Sequence, residues 1–417
     1  MQKGNSFSKP IIVDEENNYN NAHGKKALVA ASFVIFGFGL SQAIRLAGNI
    51  VLTRLLVPEL FGVLAIARVF FMGLGLFSDI GLGPAIIRSK RAHEAVFLNT
   101  AWTIQIIRSI ILAALSALIA YPVSIFYKEP SLLYLIPILG LISIPDGCRS
   151  TSLIMLEKEL NQKKATIIEL VIQVASLSIL IASAFILRNV WALIIGDLAG
   201  TLIRTVWSHV INRADRNRLV LDKESVTELL GFGKWIMLST AMTFLANQAD
   251  RFMLGKLFSM SWFGVYNVAL NLAELPKQII SRLNSKVIFP LITKYSNLSR
   301  DELKNKMKKP RFMLLLGVTF LLSIFGCFGD VAIYILYDQR YQEAGWILPM
   351  LALGMWPLLL LSTVEGSLLA IGQPKYSAAG NFAKFIYMLV VLPLANYYGG
   401  HFGVILAIAL NDLPSYI

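Results

Sequence analysis

Arg54-Leu-Leu-Val-Pro-Glu-Leu-Phe-Gly-Val63 and Lys256-Leu-Phe-Ser-Met-Ser-Trp-Phe-Gly-Val265 decide how this chain folds. Each opens on a basic residue at the end of an apolar run, turns, and enters the next apolar run through Phe-Gly-Val. The offset is 202 residues, the distance from Arg54 to Lys256; at the same offset Leu52 meets Leu254 and Ala67 meets Ala269. Unrelated apolar segments would share hydropathy, but not also the basic residue, the turn and the tripeptide. The pairing predicts an internal repeat of about half the chain.

Outward from these two stretches, apolar runs of about 20 residues recur, each long enough to cross a ~30 Å hydrocarbon core. We place them at 27–52, 63–86, 97–122, 132–156, 165–187, 190–210, 229–255, 263–289, 312–337, 344–371, 377–397 and 401–417. Backbone groups in that core must be satisfied within the segment, so the runs are helices. The strict alternation of a membrane β-barrel is absent. Composition agrees: of 417 residues 56% are hydrophobic and 15% charged, against about a quarter charged in a soluble domain. Six spans separate the two copies, so both copies start on the same side, as in a parallel repeat about an axis along the membrane normal. The expectation is an all-α polytopic membrane protein with about 12 transmembrane helices in two six-helix lobes. The lobes would be residues 27–210 and 229–417, joined by a basic cytoplasmic linker at 211–228, after a polar, disordered cytoplasmic segment at 1–26. The last run is short and ends at Ile417 without a tail. No small-residue cleavage site clearly follows the first run, which reads as a span and not a signal peptide.

The net charge of +13 lies in the short loops, and it alternates. One set of loops holds Arg88, Lys90, Arg91, Lys158, Lys163, Lys164, Arg213, Arg216, Arg218, Lys223 and the run from Lys294 to Arg311; the other holds only Arg54, Lys128, Arg188, Lys256 and Arg340. This asymmetry predicts cytoplasmic termini, and it explains the charge without nucleic acid as a partner. Tyr121, Tyr127, Trp191, Trp262, Trp346 and Tyr397 sit at span ends, where interface anchors belong. Cys148 and Cys327 are far apart without His or Cys neighbours at ligand spacing, so no metal is expected. Neither phosphate-loop pattern nor H-E-x-x-H occurs, and His23, His93, His209 and His401 are scattered; the sequence calls for no cofactor and no catalysis.

Function then rests on polar residues that a lipid-facing helix would not keep. Within the spans these are Arg45, Arg68, Asp79, Arg108, Glu169, Asp197, Asp250, Arg251, Glu274, Lys277 and Glu365. Arg68 and Asp79 are eleven residues apart, three helical turns, and would share a face. Asn267, Asn271, Glu274 and Gln278 would form one polar stripe, with Lys277 beside it and Pro276 as a kink. Such stripes on repeat-related helices predict a hydrated cavity between the halves. Its cationic excess (Arg45, Arg68, Arg108, Arg251, Lys277) suits an anionic or phosphate-linked substrate, which Arg grips in bidentate fashion. Asp250, Asn271, Glu274 and Gln278 complete the expected lining, and Asp79, Glu169, Asp197 and Glu365 are candidates for ion coupling. For each charge the alternative is a structural ion pair.

Asn49-Ile-Val-Leu-Thr-Arg-Leu-Leu-Val-Pro-Glu-Leu-Phe-Gly-Val63 and Phe77-Ser-Asp-Ile-Gly-Leu-Gly-Pro-Ala-Ile-Ile87 also resemble the N-terminal signature of bacterial lipopolysaccharide and polysaccharide exporters. Asn247-Gln-Ala-Asp-Arg-Phe-Met-Leu-Gly255 and Phe263-Gly-Val-Tyr-Asn-Val-Ala-Leu-Asn-Leu-Ala-Glu-Leu-Pro276 resemble its second-half counterpart. These are the oligosaccharide flippases of the multidrug/oligosaccharidyl-lipid/polysaccharide exporter superfamily. The resemblance implies two lobes around a central cavity, alternating access, and an undecaprenyl-pyrophosphate-linked oligosaccharide moved across the bacterial inner membrane. It also implies contact with membrane lipid and with glycan-assembly proteins. Two other readings compete. A cation-coupled drug exporter of the same superfamily would take cationic cargo, which the intramembrane arginines disfavour. A membrane glycan polymerase or ligase would carry a large outward catalytic loop, whereas every predicted outward loop is short.

Overall fold

The computed structural model of the chain describes residues 36–79, 81–89, 91, 93–158, 162–211, 217–283, 300–361 and 375–416. The segment at 1–26, with its expected disorder, lies outside them. Among the described residues the regular structure is helical and no strand occurs. Helix α1 covers 36–55. It is followed by α2 (Pro58–Phe77), α3 (Leu82–Arg88), α4 (Ala95–Tyr127), α5 (Leu132–Gly147), α6 (Ser152–Lys158), α7 (Gln162–Leu187) and α8 (Val190–Ile211). The second half runs through α9 (Lys223–Leu257), α10 (Met260–Ala273), α11 (Leu275–Leu283), α12 (Arg300–Leu336), α13 (Ala344–Gly354) and α14 (Lys375–Ala409), ending in the turn α15 (Leu413–Tyr416).

The described part of every predicted span is mostly helical, and among the described residues seven helical stretches are by themselves long and apolar enough to cross a membrane. Span 2 divides into α2 and α3, and span 8 into α10 and α11. Spans 11 and 12 run together as α14, bent at Gly400, whose φ of 52° and ψ of −138° interrupt the helical ladder. Elsewhere the boundaries follow local chemistry. Pro58 starts α2, where its missing N–H costs nothing. Lys128 ends α4 in the left-handed region, and the Glu129 N–H closes onto the Ser124 carbonyl at 3.0 Å. Ser259 caps α10 by accepting from the Trp262 N–H.

One hydrophobic cluster runs through both halves, including Ile66, Ala67, Phe263, Tyr266 and Leu348. At its centre α2 packs on α10, and the contact is reciprocal. A methyl group on Gly62 would overlap the Met260 carbonyl, and one on Gly264 would overlap the Pro58 carbonyl. Gly62 and Gly264 are the glycines of the two Phe-Gly-Val repeats, as are Pro58 and Met260 at the repeat offset. The repeat seen in sequence is therefore also a pseudo-symmetric contact in space.

The same end of the bundle holds further cross-links between the halves. Tyr127 Oη donates to the Phe252 carbonyl at 3.0 Å, and Tyr341 Oη to the Leu56 carbonyl at 3.2 Å. Lys256 reaches the Phe126 carbonyl, and Arg340 Nη2 reaches the carbonyls of Thr53 and Arg54, each at 3.2 Å. Each half thus supplies donors to the other, and those of the second half, Tyr341, Lys256 and Arg340, reach carbonyls at or just past helix C-termini of the first, where no intrahelical partner remains. We call this the Arg54 end.

At the opposite, Arg91 end, residues 217–222 lie along the start of α4. The N–H groups of Arg218, Val220 and Asp222 donate to Asn99 Oδ1, Thr103 Oγ1 and Thr100 Oγ1 at 3.0, 3.0 and 3.1 Å. Leu229 then packs with Leu82, Ile86, Phe97 and Ala101. So the second part of the expected linker, and the first turns of α9, are seated on the first half; residues 212–216 lie outside the described set.

Large apolar side chains such as Leu118, Ile186 and Phe320 face outward without a protein partner surface. A soluble chain would bury them; a bilayer covers them. The chain is a multi-pass membrane protein.

Candidate substrate cavity

Among the described residues three cavities receive most of the charges that the sequence places in the spans, and Arg251 lines none of them. The first lies between the halves, encloses about 530 Å³, and is walled by α1, α2, α7, α8, α10 and α11. It holds Arg45, Arg68, Asp197, Asn271 and Gln278. The second, about 560 Å³, lies inside the first half and holds Asp79, Arg108 and Glu169. The third, about 50 Å³, lies inside the second half and holds Asp250, Glu274 and Lys277. The expected lining is therefore divided among three sites. Glu365 lies outside the described residues.

Each placement has a local cause. α2 stops at Phe77, so Asp79 sits past the helix end, where its Oδ1 accepts from the Gly81 N–H at 2.9 Å. Arg68 and Asp79 do not share a face: one lines the cavity between the halves, the other the cavity inside the first half. The polar stripe is also broken. α10 ends at Ala273, Glu274 forms a turn, and α11 starts on the other side of it, next to Pro276. Asn267 is buried and donates to its own helix at the Phe263 carbonyl, 2.7 Å away. Asn271 and Gln278 face the central cavity, whereas Glu274 turns into the second half.

The central cavity has a defined hydrogen-bond pattern. Arg68 Nη2 meets Asp197 Oδ2 at 2.6 Å, tying α2 to α8. Both side chains are still substantially exposed, at 51% and 36%. Arg45 makes one long contact, Nη2 to Ser41 Oγ at 3.5 Å, one turn earlier on its own helix. Gln173 is locked to α1, donating to the Ser41 carbonyl at 2.8 Å and accepting from Ser41 Oγ at 2.6 Å. Gln42 donates to Gln278, a bond between the halves. Asn49 and Asn271 line the same space.

The other cations serve different ends. Arg108 donates through Nε to the Ser78 carbonyl at 2.9 Å and through Nη2 to the Gly75 carbonyl at 2.7 Å. It satisfies carbonyls that the end of α2 leaves open, with a charge favoured at a helix C-terminus. Arg251 bonds Gln248 and lies 4.0 Å from Glu274.

Charges that the sequence reading passed over lie in the same interiors. Lys384 pairs with Asp412 at 2.7 Å, both side chains buried, and Asp250 accepts from Tyr266 Oη at 2.5 Å beside them. Arg149 pairs with Asp146 at 3.1 Å next to Arg204. Lys384, Arg204 and Asp146 all sit inside predicted spans, so the criterion of an intramembrane charge, applied evenly, finds them.

The profile of a family described as "Polysaccharide biosynthesis protein" matches residues 51–345. This chain belongs to that family. The proteins it resembles include an "Uncharacterized membrane protein in cps region" of Klebsiella pneumoniae, 22% identical over 94% of this chain and 80% of that one. The lipopolysaccharide biosynthesis protein WzxC of Escherichia coli K12 is 23% identical over 84% of this chain and 68% of its own length. Among solved structures, lipid II flippase MurJ in an inward closed conformation aligns with a TM-score of 0.72 at 15% identity, over 92% of this chain and 85% of that one. That likeness shows a shared fold.

Proposed function

We propose that this polysaccharide biosynthesis protein is a flippase that carries a lipid-linked oligosaccharide across the bacterial inner membrane. The observation that carries the reading is the cavity between the halves, with its exposed arginines Arg45 and Arg68 and its ring of amides, in a chain of this family. A sugar head group needs paired donors and acceptors, which amides supply together; a phosphate link needs a cation, for which Arg is suited. The lipid tail, an undecaprenyl chain in this reading, stays in the bilayer while the head group enters.

The basic loops support a cytoplasmic Arg91 end, with both lobes crossing the membrane in parallel. In that orientation the sealed Arg54 end faces outward. Release requires the α2–α10 contact and its flanking cross-links to part while the Arg91 end closes, a rocking of one half against the other. The cargo is moved and not chemically altered. A membrane potential of 100 mV is worth ~2.3 kcal/mol per charge moved, so one or two coupled charges are enough to bias the cycle. Glycan-assembly proteins would deliver and receive the cargo.

The test is Arg45→Ala in cells that depend on this chain for surface glycan. The expected result is normal protein in the membrane, lost surface glycan, and lipid-linked glycan retained on the cytoplasmic leaflet, with partial recovery in Arg45→Lys. Normal surface glycan at normal abundance would refute the site.

A further inference from the structure

We infer that Asp197 is the specificity-determining residue of the central cavity, tuning it to cargo with one anionic anchor and uncharged sugars. The inference rests on the flippase reading and goes on to say which glycans fit. The sequence suggests five cations in the spans; the structure brings two of them to the cavity between the halves, Arg45 and Arg68. Asp197 holds Arg68 at 2.6 Å. Among the described lining residues the charges are then Arg45 and Arg68 against Asp197, a net of one positive charge. The remaining polar lining is uncharged, chiefly the amides of Gln42, Asn49, Gln173, Asn271 and Gln278.

The consequences follow from charge. A phosphate link engages Arg45, whose guanidinium has only the 3.5 Å contact to Ser41 among the described residues. A second anion, such as a uronic acid carboxylate, would have to take Arg68 from Asp197. An exposed pair of this kind is itself worth little. The obstacle is what remains: a freed Asp197 carboxylate beside the incoming carboxylate, two like charges in a partly desolvated space. Hydroxyl-rich neutral sugars meet no such penalty and find amides able both to donate and to accept.

The experiment uses the full chain in detergent with two probes. One is a short-chain polyprenyl pyrophosphate bearing a neutral disaccharide; the other carries a glucuronic acid in place of the terminal sugar. Wild type is expected to bind the acidic probe no tighter than the neutral one. Asp197→Asn frees Arg68 and should raise the acidic-over-neutral affinity ratio about tenfold, a gain that salt suppresses. Arg68→Gln leaves Asp197 unbalanced and should shift the ratio about tenfold the other way. A wild type that prefers the acidic probe tenfold, or a ratio unmoved in both variants, overturns the inference while leaving the flippase reading intact. If wild type binds neither probe, both fall together.

Discussion

Arg45 and Arg108 are the same residue type on spans 1 and 3, yet their surroundings assign them opposite work. Arg108 is spent on the carbonyls of Gly75 and Ser78, and removing it takes two charge-assisted hydrogen bonds from the end of α2. Hydrogen bonds to a charged group are worth about 1.5–3 kcal/mol each. Arg108→Ala is therefore expected to lower the thermal stability of the purified protein by several degrees, and Arg108→Lys to recover it incompletely. Arg45→Ala should melt with wild type, because among the described residues Arg45 has only the weak contact to Ser41. Melting curves in detergent separate the two; equal losses would show that Arg45 also supports the fold.

At the scale of elements, α9 begins on a cap that titrates. Asp222 accepts from the N–H and hydroxyl of Ser225, which holds its carboxyl below the usual carboxylate range, with Arg91 nearby adding to the effect. A depressed folded value means the contribution is present above the unfolded Asp value of about 3.9 and is lost as pH falls through the folded one. Asp222→Ala should melt below wild type at pH 7, and the gap should close on acidification below about pH 4. A gap that stays constant with pH would remove the cap from the account. A second element prediction concerns α2 and α10. Gly62→Val places a branched side chain against the Met260 carbonyl; overpacking of this kind costs about 1–3 kcal/mol. It should weaken the closed Arg54 end and raise the reactivity of a cavity cysteine, introduced as Ser176→Cys, to a water-soluble thiol reagent added from outside. Unchanged reactivity would mean the contact does not hold that end shut.

Elements are also where the sequence was most legible. Run length located the helices, because the thickness of the bilayer dictates it. The repeat was visible because Gly62 and Gly264 cannot tolerate a side chain at their shared contact. The site was legible only in part. Counting eleven residues from Arg68 to Asp79 assumed a helix that in fact ends at Phe77. The stripe from Asn267 to Gln278 assumed a helix that breaks at Glu274. Spacing converts to a shared face only while the ladder is continuous. Which lobe a charge turns into depends on neighbours far away in sequence, as with Arg68 and Asp197 or Lys384 and Asp412.

For the whole molecule, the account is of two halves sharing one apolar core, cross-linked at the Arg54 end, around a cavity with little net charge. The central claim is that this cavity moves a lipid-linked glycan. It is tested most directly by reconstituting the purified chain into liposomes with a fluorescent polyprenyl-pyrophosphate oligosaccharide and following its exposure on the opposite leaflet. The account predicts transfer well above that of protein-free liposomes, and at least tenfold slower transfer for Arg45→Ala at equal protein density. Transfer at the protein-free rate, or transfer by Arg45→Ala as fast as wild type, would contradict it.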